Sequence, residues 1–139
     1  MIKKPQKQFS KINLVYRFYL RFLALICLGL SVFYWIRLVG IFPGVLWRFD
    51  LMPWQWQILS VSLAIIYPIA LIGIWMYSLW GIVLWCSAAF TETLTIISLY
   101  STSDYKIFIV MLHGILFLTL IILQIMIIFF KRKHRINSE

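Results

Sequence analysis

Three side chains in this 139-residue sequence stand where charge is costly: Arg37, Glu92 and His113. Glu92 lies in "AFTETLTII", with no other charged residue within ten positions on either side. An ionised group at the centre of a membrane helix costs about 2.5–3.5 kcal/mol on insertion scales, so it normally has a partner. An acid beside an arginine is a buried ion pair. An acid beside a histidine, in a membrane, is also how proton paths are built.

Other chemistry has little to stand on. The sequence has no HExxH, no GxSxG, no phosphate loop and no paired carboxylates in an apolar run. Haem ligation by His113 lacks a second histidine in the apolar runs, since His134 belongs to the basic tail at the opposite side. Cys27 and Cys86 sit inside apolar runs with no CxxC spacing, and read as small hydrophobes. No catalytic residue, metal or cofactor is therefore expected.

The elements that must hold the three residues follow from composition. Hydrophobic residues make up 63% of the chain and charged ones 12%, with mean hydropathy +0.95. A soluble domain of this size keeps too much surface to hide that much apolar area. A helix crosses the hydrocarbon core with about 20 apolar residues, and four runs qualify. They cover about 22–42, 54–76, 79–100 and 107–130. The expected fold class is all-α: a polytopic membrane protein, one domain over 1–139, built as an antiparallel four-helix transmembrane bundle.

The connections carry the expected marks. Pro43, Gly44 and Pro53 break the chain after the first run, with Trp47, Trp54 and Trp56 at headgroup level. "YSLWG" makes a tight uncharged turn, and "STSDYK" links the last two spans. Asp50 and Asp104 suit helix-cap or turn roles there. Segment 1–21 reads as a basic interfacial helix leading into an uncleaved anchor, and 131–139 as a basic tail.

The charge of +9 is concentrated: six of the thirteen Lys and Arg precede the first run and four follow the last. Basic clusters abutting apolar runs are topology signals and contacts for anionic lipid headgroups, so nucleic acid is not the expected partner. They place both termini of this multi-pass chain in the cytoplasm.

With a rise of about 1.5 Å per residue, Arg37 lies roughly 8 Å, Glu92 about 12 Å and His113 about 9 Å below the outer ends of their spans. On that basis Glu92 is expected to pair with Arg37, with His113 as third member or near neighbour. Gly81, Ala88, Glu92 and Thr95 make a small, polar stripe on span three. His113, Phe117, Leu120 and Gln124 share a face of span four, and Ser60 and Tyr67 one of span two, which Pro68 should kink.

"RFDLMPWQWQ" (48–57), "PIALIGIW" (68–75), "WGIVLW" (80–85), "TE" (91–92) and "MLHG" (111–114) together resemble an uncharacterised family of small four-span alphaproteobacterial membrane proteins. The likeness runs from about Tyr34 to Phe129. It implies a four-helix architecture in a bacterial inner membrane, and it brings no activity with it. It also points to Arg48 and Asp50 in the loop, and to Glu92 and His113 in the spans.

The reading that results is a protein without enzymatic function, structural or an interaction partner in the cell envelope, as a homo-oligomer or in a larger membrane complex. One rival is a small proton-coupled transporter using Glu92, resembling the small multidrug-resistance type. That type carries its acid on the first helix without an arginine partner. Another rival is an accessory subunit of a larger complex.

Overall fold

The computed structural model describes residues 4–99 and 104–136. Residues 100–103, expected as the end of span three and the start of the next connector, lie outside them, as do 1–3 and 137–139 of the basic ends. The described residues form four long helices and no strand: α1 (Lys4–Val39), α2 (Trp54–Trp75), α3 (Leu79–Leu99) and α4 (Asp104–Ile136). Stretches long and apolar enough to cross a membrane cover Ser10–Val39, Trp54–Trp75, Leu79–Ser98 and Ile107–Lys133.

The basic segment and the first span are one helix of 36 residues, with no break near residue 21. The chain has no proline between Pro5 and Pro43 that would interrupt it. What ends α1 is Gly40, at φ +74°, whose N–H bonds the Ile36 carbonyl at 3.1 Å. This left-handed cap comes free of strain only for glycine. The helix thus stops three residues short of the expected edge at Phe42, and Arg37 falls in its last turn.

α2 continues through Pro68 as one element. A proline leaves the carbonyl four residues earlier without its helical donor, which in lipid must be replaced. Here that carbonyl, of Ala64, accepts the Trp35 indole N–H from α1 at 3.1 Å. The α2–α3 turn is tight enough for the helix backbones to touch. A Cβ at Gly73 would overlap the Gly81 backbone, and one at Gly81 would overlap that of Gly73. Ser78 closes the turn by bonding the Gly73 carbonyl through its N–H at 3.0 Å and its hydroxyl at 2.8 Å.

α1 packs along α2 and α2 along α3, while α4 completes the ring mainly against α1 and more lightly against α3. Tyr19 donates to the Leu116 carbonyl, and Gln124 to the Tyr16 hydroxyl at 2.9 Å, tying α4 to α1. Leu20, Leu23, Cys27, Leu63, Ala70, Ile74 and Trp85 fill the middle. Large apolar side chains such as Phe18, Ile72, Val83, Leu118 and Ile128 face outward. That is what a hydrocarbon solvent demands, because lipid does not drive apolar groups inward. The hydroxyls of Thr91, Thr95 and Thr119 bond carbonyls one turn back on their own helices, so they too meet that solvent satisfied.

The start of α1 and the α2–α3 turn lie at the same end. Arg21 donates to the Tyr77 hydroxyl at 2.8 Å and stacks over Trp75, and Arg17 stacks over Tyr77.

Candidate functional site

Glu92, on the inward face of α3, has no solvent exposure. The Tyr34 hydroxyl from α1 donates to its Oε1, and the Tyr67 hydroxyl from α2 donates to its Oε2. From α4, His113 brings Nε2 to 3.8 Å from Oε2 and 3.3 Å from the Tyr67 oxygen. One side chain from every helix therefore meets at this point.

The tyrosine rings lie nearly parallel, 19° apart in plane and 6.0 Å between centroids, and both hydroxyls end on the one carboxylate. Two donors on two oxygens is the arrangement a carboxylate can accept in full. The Tyr67 proton goes to Glu92, so the contact with His113 requires Nε2 to carry a hydrogen and donate to the Tyr67 oxygen. In a neutral ring that leaves Nδ1 as an acceptor. Hydrogen bonds to charged groups contribute about 1.5–3 kcal/mol each, so two of them meet or exceed the insertion cost of one carboxylate.

Of the three residues expected to form one network, Glu92 and His113 meet here, and Glu92 also has the two tyrosines as donors. Arg37 is buried beside this cluster, on the loop side of Tyr34. Its Nε donates to the Leu46 carbonyl at 2.8 Å, and its guanidinium lies 5.4–5.7 Å from the ring centroids of Phe33, Tyr34 and Trp56. The reason is direction. Arg37 ends the helix, so its stem reaches outward to the loop carbonyls, as long cationic side chains near a span end do. Tyr34, three residues deeper on the same face, occupies the level of the acid.

Tyr34 is the member that sequence reasoning missed. Its signal was present: it is eight residues from Phe42, as Glu92 is eight from Tyr100. Equal depth favours the tyrosine as the partner of the acid, and a phenol at that depth can donate to it without carrying charge. Tyr67 was expected to line the interior, and it does so beside Glu92.

Arg48 and Asp50 form a bidentate pair, at 3.1 Å and 2.8 Å, in the loop after α1. Both are about half exposed, so the pair contributes little stability. Asp50 does not cap α2, whose N-cap is Pro53 with no side-chain bond. The side chain of Asp104 lies outside the described residues. Cys27 and Cys86 are both free thiols.

A family model spanning residues 14–131 matches the sequence, that of a family of unknown function, DUF6163. The chain belongs to DUF6163. The matched region holds Tyr34, Arg37, Tyr67, Glu92 and His113, so the whole cluster lies within the DUF6163 unit. No curated protein and no solved structure matches the chain significantly.

Proposed function

We propose that this DUF6163 protein is a non-enzymatic integral protein of a bacterial inner membrane. Both termini face the cytoplasm, and it serves as a structural or interaction component of the envelope. The observation that carries this reading is the state of Glu92: unexposed, with a tyrosine donor on each oxygen. An acid so engaged joins four helices; to bind and release a substrate or proton it would first have to break two hydrogen bonds in an apolar interior.

Orientation rests on the basic residues. Arg17 and Arg21 stand beside the α2–α3 turn, at the end from which α4 carries Lys131, Arg132, Lys133 and Arg135 outward. This end suits the cytoplasmic leaflet and its anionic headgroups. The exposed apolar belt suits lipid, a second copy or the subunits of a larger complex.

One observation favours a second reading, a proton-coupled transporter. His113 touches Glu92 on one side and an opening between α3 and α4 on the other. Proteoliposomes loaded with a pH-sensitive dye decide between the two. Under an imposed pH gradient, wild type and Glu92→Gln should both match empty vesicles. Proton flux in wild type that Glu92→Gln abolishes would overturn the structural reading.

A further inference from the structure

Of the four acids in the sequence, Asp50 and Asp104 belong to the far ends of the spans, Glu92 to the core, and Glu139 lies outside the described residues. The end where α1 begins and α4 finishes therefore carries cations and no acid among the described residues. Two of these cations have a firm seat. Arg21 donates from Nε to the Tyr77 hydroxyl at 2.8 Å, and its guanidinium lies 5.4 Å from the Trp75 ring centroid. The Arg17 guanidinium lies 5.7 Å from the centroid of the Tyr77 ring. Four residues apart, the two arginines share one face of α1 and meet at one tyrosine.

That tyrosine is held at φ +57°, and among the described residues it is the one non-glycine in the left-handed region. A glycine would turn the chain there without strain, as Gly40 does at the end of α1. Strain kept at a turn points to a function for the side chain that bears it. Here the ring and hydroxyl of Tyr77 fix both guanidinium groups in place. The bond to Tyr77 uses only Nε of Arg21, and the ion pairs among the described residues, Arg48–Asp50 and His113–Glu92, include neither arginine. Trp75 and Tyr77 are half-exposed aromatic rings of the kind that settle at headgroup level. Beside the arginines, Phe18, Phe22 and Leu25 form an exposed apolar strip that runs down α1 into the bilayer.

We infer that Arg17 and Arg21 clasp the phosphate of one anionic phospholipid, whose acyl chains lie along the Phe18, Phe22 and Leu25 strip. The site belongs to the end proposed above to face anionic headgroups, and it rests on that reading. Guanidinium forks match phosphate oxygens in pairs, and a fork already oriented by a ring loses less freedom on binding. A zwitterionic headgroup would bring its own ammonium among these cations, with no described acid to receive it. A free phosphate would engage the arginines but leave the apolar strip unused.

Native mass spectrometry of the full chain in detergent tests this, because it counts bound lipids one at a time. The first phosphatidylglycerol should bind about tenfold more tightly than the first phosphatidylcholine of the same acyl chains. Arg17→Gln with Arg21→Gln should erase that preference. Arg132→Gln with Lys133→Gln removes the same two charges from the end of α4 and should leave it intact. Tyr77→Phe keeps the ring and loses the bond to Arg21, so it should weaken phosphatidylglycerol binding severalfold, and it serves if the double arginine variant does not fold. Glycerol 3-phosphate at matching concentration should not displace the lipid. Equal binding of the two lipids, equal losses in the two double variants, an unchanged preference in Tyr77→Phe, or displacement by glycerol 3-phosphate would each overturn the site. The titration does not depend on which way the chain faces, so its failure would leave the proposed orientation to be judged by fusion reporters.

Discussion

The Tyr34 hydroxyl donates to Oε1 of Glu92, joining the first helix to the third across the core. Neither residue faces lipid, and together with Tyr67 and His113 they make the one level at which all four helices are linked by polar side chains among the described residues. In hydrocarbon the alternative to such a bond is an unmatched polar group, so the cluster selects one arrangement of the helices as well as stabilising it.

Gly73 and Gly114 should respond in opposite senses to the same change. Gly73→Ala puts a methyl group into the Gly81 backbone and forces α2 and α3 apart, lowering the melting temperature in detergent. Gly114→Ala meets open space and gains helix propensity, about 1 kcal/mol at most, so its melting temperature should hold or rise. Thermal melting of the two variants checks the contrast.

Arg37→Lys should not substitute for arginine. The planar guanidinium stacks among three aromatic rings while its Nε bonds the Leu46 carbonyl, a combination that a compact ammonium does not reproduce. A loss of about 1–2 kcal/mol is expected. In addition, the effects of Arg37→Leu and Glu92→Leu should fall short of additive in chemical denaturation, since Tyr34 touches both, its ring against the guanidinium and its hydroxyl on the acid.

Topology is open to direct measurement. Reporters fused after Glu139 should report the cytoplasm, and reporters inserted near Arg48 the periplasm. Cys27 should resist membrane-impermeant maleimides in intact cells, being fully buried. Cys86, on the wall of the opening between α3 and α4, should also resist them but react with a lipid-soluble maleimide. Rapid labelling of Cys86 by the impermeant reagent would mean that the opening is wet.

The four-helix, membrane-suited architecture was legible because it rests on long apolar runs, which override every local signal. The end of α1 was misjudged by three residues because hydropathy continues past Gly40 into Ile41 and Phe42, while backbone conformation does not. Glu92 and His113 were legible as residues needing partners. The place of Arg37 was less legible, because an arginine in a last turn can reach outward to a loop carbonyl, as it does to Leu46, and charge alone does not show that. The Trp35–Ala64 bond needed the interhelical geometry, although Pro68 announced that some carbonyl would require a donor.

The most direct test of Glu92 as the tie between the helices is a double-mutant cycle on Tyr34 and Glu92, read as melting temperature and denaturation free energy in detergent. Tyr34→Phe alone strips one oxygen of its donor and should cost about 1–3 kcal/mol. In a Glu92→Leu background the same change should cost almost nothing or restore stability, because the hydroxyl there has lost its acceptor. Adding Tyr67→Phe to that pair should recover stability only in part, because it leaves His113 buried without the oxygen its Nε2 meets. If Tyr34→Phe costs the same with and without Glu92, the tyrosine does not hold the acid, and the account of this cluster is wrong.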